Sequence, residues 1–84
     1  LGNLAASAED LVTALGHFRR AVALNPAFIP ARNNLANALL MLGQVDEAIV
    51  HYREILVRQP GDRRVQENLA YALELQRERS RRER

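Results

Sequence analysis

Apolar residues recur three and four apart along nearly the whole chain. They run Leu11, Leu15, Phe18 and Val22, then Leu35, Ala38, Leu39 and Leu42, then Val45, Ala48, Ile49, Tyr52, Ile55 and Leu56, and finally Val65, Leu69, Ala72 and Leu73. That spacing gathers each set on one face of an α-helix, where a strand would alternate with a period of two. It predicts helices over 11–24, 29–42, 45–58 and 62–76, and an all-α chain. The breaks fall where backbone chemistry allows them. Gly43 separates the second and third sets, and glycine tolerates the left-handed conformation that ends a helix. Pro26 and Pro60 close the first and third helices, since proline cannot continue a helix it falls within. Pro30 suits a first helical turn, and Asp10 and Asp62 stand where N-caps are expected.

Sliding the sequence against itself by 34 residues gives eleven identities in fifty comparisons, with no insertion. They include Asn3/Asn37, Ala14/Ala48, His17/His51, Pro26/Pro60, Asn34/Asn68, Leu35/Leu69, Ala36/Ala70 and Leu39/Leu73. The pairs Leu11/Val45, Leu15/Ile49, Phe18/Tyr52 and Val22/Leu56 keep their character. The unit is therefore helix, tight turn, helix. Gly2, Ala36 and Ala70 share one position of its first helix, and Ala14 and Ala48 one position of its second. Small residues at facing sites let antiparallel helices approach closely.

With Leu35, Ala36, Leu39, Ala48, Tyr52 and Pro60 in place, the sequence resembles the tetratricopeptide repeat, whose period of about 34 residues carries Trp, Leu, Gly and Tyr, then Ala and Phe, then Pro. Gly43-Gln44-Val45-Asp46-Glu47-Ala48-Ile49 is also typical of that family's turn. Two departures stand out: the Trp position carries Arg32 and Gln66, and Arg77 and Arg82 stand where a third repeat would need its turn Gly and second-helix Ala. The resemblance implies a right-handed α-α superhelix of antiparallel helix pairs in one domain, 1–84. Residues 1–27 form a partial first repeat and 28–61 a complete second. Residues 62–76 supply the helix of a third repeat or a capping helix, and 77–84 an Arg-rich helical tail. Beginning mid-repeat, the chain reads as a piece of a longer array. Its N-terminal face, with Leu11, Leu15, Phe18 and Val22, is expected to be incompletely covered by residues 1–8 and open to homo-oligomer contacts.

Composition narrows function mainly by exclusion. There is no Cys, which removes disulfide scaffolds and thiolate sites. No apolar run approaches the roughly 18 residues of a membrane span, and no signal peptide is visible, so a cytoplasmic location without direct membrane contact is expected. All twelve basic residues are Arg, a usage that points to a GC-rich bacterial source. The net charge of +2 and pI of 9.9 first suggest nucleic acid. Residues 77–84, however, hold five Arg against Glu78 and Glu83, a local +3, while residues 1–76 are net −1. The basicity belongs to a tail. Glu74 with Arg77 and Glu78 with Arg82 are helical neighbours of opposite charge, so this tail reads as a solvated helical extension needing no ligand, and nucleic acid is not an expected partner.

Catalysis and cofactor or metal binding find little to work with. His17 and His51 are 34 apart on successive second helices, and stacked helices lie about 8–10 Å apart, too far for two imidazoles to share a zinc at ~2 Å bonds. Both read as partly exposed outer-face residues, with Asp46, Glu47 and Glu54 solvated nearby. Binding has more to offer. Off the core stripes lie Asn33, Asn34, Asn37, Leu40 and Met41 on the second helix, and Arg64, Glu67 and Tyr71 on the fourth. The resemblance implies that first helices line a concave groove, to which Asn3 also contributes. Amides pair with peptide backbone, and Met and Tyr give adaptable apolar contact. A carboxylate clamp of the kind some members carry is incomplete: Asn3, Asn34 and Arg64 fit, but Asn68 stands where a second cation is needed. The expected function is a non-catalytic scaffold binding a protein or peptide. The alternative is a structural, self-associating segment at the C-terminal end of a larger protein with these repeats, such as a glycosyltransferase.

Overall fold

In the computed structural model, which describes residues 8–82, four helices follow one another: α1 (Ala8–Leu24), α2 (Ile29–Met41), α3 (Val45–Arg58) and α4 (Arg63–Arg82). Each packs on the next in the chain, and the short connections make successive helices antiparallel. No strand occurs among the described residues.

The turns repeat along with the helices. Phe28 N–H donates to the Asn25 carbonyl at 3.0 Å, and its counterpart one period later, Asp62 N–H, donates to the Gln59 carbonyl at 3.1 Å. Between α2 and α3, Gly43 adopts φ 85°. Gln44 N–H reaches the Leu39 carbonyl at 2.8 Å and Gly43 N–H the Leu40 carbonyl at 3.1 Å, the paired bonds that satisfy the last carbonyls of a helix ending in a left-handed residue. Asp62 caps α4 through Oδ1, which accepts Val65 N–H at 3.2 Å. Asp10 does not stand at the N-cap position expected of it. Helix α1 starts earlier, at Ala8, and Asp10 lies inside its first turn beside Glu9, where acidic groups complement the helix dipole instead.

The core lies between α2, α3 and the inner face of α4. Tyr52, Leu35, Leu39, Ile55 and Val65 are fully buried, and the small residues Ala36 and Ala48 are both 0% exposed where α2 meets α3. Leu15, Phe18 and Val22 of α1 are half-buried against this core. Coverage of α1 by residues 1–8 lies outside what is described for residues 1–7. The fourth helix runs unbroken through the position of Arg77, where the preceding period has its turn glycine, to Arg82.

Polar side chains that the sequence left solvated hold the helices to one another. Asp46 Oδ1, at the start of α3, accepts Gln76 Nε2 at 2.9 Å and Arg79 Nη2 at 2.8 Å. The first turn of the basic tail is thus tied down. Glu47 takes both ends of the Arg19 guanidinium from α1, at 2.6 and 3.1 Å. The two repeat-equivalent histidines part company: His17 is exposed, while the His51 side chain is 15% exposed beside Arg32 and Glu47. The expected Glu74–Arg77 pair is present at 3.8 Å.

Candidate functional site

Helices α2 and α4 occupy the same place in successive periods, and off-core residues from both line an open cleft of ≈ 280 Å³. Its walls are Asn33 and Asn37 from α2 and Arg64, Glu67 and Asn68 from α4. Helical geometry assembles the set: residues three and four apart share a face, so Asn33 and Asn37 stand one turn apart on one wall, and Arg64, Glu67 and Asn68 within one turn on the other.

A hydrogen-bond relay fixes the floor. The Tyr52 hydroxyl on α3 donates to Asn37 Oδ1 at 2.5 Å, and Asn68 Nδ2 donates to the same oxygen at 3.4 Å. An amide oxygen has two lone pairs, so this one is fully used, and Asn37 is left with its N–H groups to donate. Burial pushes the Tyr52 hydroxyl up to about 12, which keeps it protonated and donating across the neutral range. Asn33 Oδ1 is in the opposite condition, buried with no hydrogen-bond partner. Leaving such an acceptor unpaired costs about 1–3 kcal/mol. Arg64 and Glu67 are exposed and form no ion pair with each other, so the walls offer one free charge of each sign.

Of the residues expected at a binding surface, the structure brings Asn33, Asn37, Arg64 and Glu67 together. Leu40 packs against the core instead. Met41 at 68% and Tyr71 at 59% exposure point to solvent outside the cleft lining, and Asn34 is exposed beyond it. Asn3 lies outside the described residues. Two participants read differently in the sequence, Asn68 only as an unfilled cation position of the carboxylate clamp and Tyr52 as a core residue. Asn68 is the period-equivalent of Asn34 and stands one helical turn beyond Arg64, which would have placed it on the right face. Tyr52 reads in sequence as a core aromatic. Its hydroxyl is the signal, since a buried tyrosine needs a polar partner.

The arrangement suits recognition. Among the described residues no group of three or more His, Cys, Asp or Glu side chains comes together, and no helix is long and apolar enough to cross a membrane. A family model for the tetratricopeptide repeat matches residues 5–73. No curated protein and no solved structure matches the chain significantly.

Proposed function

Because the chain belongs to the tetratricopeptide-repeat family, whose members are in general protein-interaction modules, we propose that it is a non-catalytic scaffold whose cleft between α2 and α4 receives an extended segment or helix of a partner protein. The observation that carries this reading is the polar lining of the cleft: Asn37, whose oxygen is taken by Tyr52 and Asn68 and whose N–H groups are left to donate, beside the exposed Arg64 and Glu67. A peptide backbone supplies one acceptor per residue and so suits the Asn37 donor. Arg64 and Glu67 add a free cation and a free anion at the rim, suiting a partner segment of mixed charge.

The test is a peptide-library selection followed by NMR titration. Hits are expected to move the side-chain amide signals of Asn33, Asn37 and Asn68 and the backbone signals of Arg64 and Glu67. Shifts confined to α1 and α3 would exclude the cleft.

A structural role in self-association is the second reading, and the uneven burial of equivalent positions favours it. Leu35, Ala36 and Leu39 are buried, whereas Leu69 and Leu73 are half-buried and Ala70 exposed. Sedimentation over a concentration series separates the two: a peptide binder stays monomeric, while self-association depletes the monomer as concentration rises.

A further inference from the structure

A second polar cluster takes no part in the cleft and joins three helices. Arg19 of α1 grips the Glu47 carboxylate of α3 with two bonds. Glu47 Oε2 lies 3.7 Å from His51 Nε2, one turn along the same helix. On the other side of the ring, Arg32 Nη1 of α2 lies 3.1 Å from His51 Nδ1. A guanidinium only donates, so Nδ1 is the acceptor and the ring is neutral, with its proton on Nε2 toward Glu47. Arg32 Nη2 donates to the Pro26 carbonyl in the α1–α2 turn at 3.1 Å, and Arg32 Nε is buried without an acceptor.

This geometry leaves no room for a proton on Nδ1. Adding one would set an N–H against a guanidinium N–H across 3.1 Å. Arg32 has no second acceptor to turn to in place, since Nη2 is committed to Pro26 and Nε already lacks one. Withdrawing it gives up the bond that pins the α1–α2 turn. The protonated ring would also compete with Arg19 for Glu47. The charged groups facing His51 are Arg32 from α2, Glu47 on its own helix and Arg19 from α1; α4 directs Gln76 and Arg79 to Asp46 instead.

We propose that Arg19, Glu47, His51 and Arg32 form an acid-operated latch, in which a proton on His51 Nδ1 expels the Arg32 guanidinium and frees α1 and the α1–α2 turn while the α2–α4 cleft stays assembled. Burial first, and Arg32 second, hold the imidazole below its ordinary value of 6.5. The open form therefore takes up the proton before the closed form does. Stability of the closed latch is full above the open-state value and falls as pH drops below it. The relay at the cleft does not titrate in that window, being two amides and the Tyr52 hydroxyl, which is held up to about 12. The α3–α4 tie through Asp46, held below its ordinary 3.8, also persists there.

The repeat supplies a control. Gln66, one period after Arg32, donates from Nε2 to the Pro60 carbonyl at 2.6 Å, as Arg32 does to Pro26. Glutamine at position 32 thus has a precedent for keeping the turn bond while severing the link to histidine.

The experiment is amide hydrogen exchange on the whole chain at pH 7.5 and 5.5, read as protection factors. For the wild type, protection in α1 and the α1–α2 turn is expected to fall by up to about tenfold relative to residues 63–76 of α4, the limit for an open-state imidazole of ordinary value that cannot protonate in the closed state. Arg32→Gln and His51→Gln are each expected to abolish that selective fall, and His17→Gln to leave it intact. The latch is overturned by an unchanged wild-type profile, by an equal fall in all four helices, by a selective fall that survives in both latch variants, or by its loss in His17→Gln.

Discussion

Tyr52 combines a fully buried ring with a hydroxyl that reaches the floor of the cleft, and the two halves of the side chain can be separated by experiment. Tyr52→Phe keeps the ring and its packing and removes only the donor to Asn37. Chemical denaturation should show a loss of about 0.5–1.5 kcal/mol, the worth of one such bond, with the helical content unchanged. Any peptide affinity at the cleft should fall as well, because Asn37 is then free to rotate its amide. Alkali supplies a second readout. The hydroxyl is raised from 10.0 to about 12 on folding, so its contribution is complete below pH 10 and is lost as pH rises toward 12. In Tyr52→Phe this part of the alkaline decline should vanish from a pH series of denaturation midpoints. Gly43 is a different kind of residue-level constraint. A Cβ there would meet nothing within 4 Å, but φ is 85°, so Gly43→Ala should cost roughly 1–2 kcal/mol through backbone strain alone, measured by the same denaturation.

At the scale of elements, the 34-residue register sorts what could be read in advance from what could not. Helix positions, the glycine turn and the Asp62 cap follow from local rules acting on local sequence, and they stand where the periodicity puts them. Asp10 misleads because the apolar pattern begins at Leu11, while the helix extends back to Ala8 through residues that carry no periodic signal. The polar ties were illegible for a further reason. Asp46 meets partners 30 and 33 residues away, and Arg19 meets Glu47 across 28, separations that no helical spacing encodes. The departures at the Trp position illustrate the same limit: Arg32 and Gln66 look like losses in sequence, yet each bonds the carbonyl of the preceding proline. Register also yields a matched pair of mutations. Ala36 is 0% exposed between α2 and α3, and its equivalent Ala70 on α4 is exposed. Ala36→Leu should overpack the helix pair at a cost of about 1–3 kcal/mol, and Ala70→Leu should stay within about 0.5 kcal/mol of wild type. Equal costs at the two sites in urea titrations would mean that α4 is covered in solution on the face left open here, as the self-association reading requires.

For the whole molecule, stability in a stack of helices that pack chiefly on their chain neighbours is approximately a sum of helix and interface contributions, lowest in the outermost described helices. Buried side chains follow that rule: five on α2, five on α3, two on α4, and none among those described on α1. Ionic ties compensate at both flanks, with Arg19 to Glu47 on the α1 side and Arg79 to Asp46 on the α4 side. Both carboxyls are held below their ordinary 4.5 and 3.8, chiefly by hydrogen bonds from Arg19 and from Gln76 respectively. Such ties contribute above those values and are lost as pH falls through the lowered range, so acid should release the two ends while the apolar α2–α3 pair still holds. The same inequality should be visible at pH 7.5 without any acid. Hydrogen exchange is expected to be slowest in α2 and α3, at the rate set by global unfolding, and faster by local opening in α1 and in residues 77–82. The difference should be at least about tenfold, because among the described residues α1 has no buried side chain and α4 has none beyond Ala72, against five on each of α2 and α3. Uniform protection from α1 to α4 would mean instead that the chain unfolds as one cooperative block, with the end interfaces as strong as the central one.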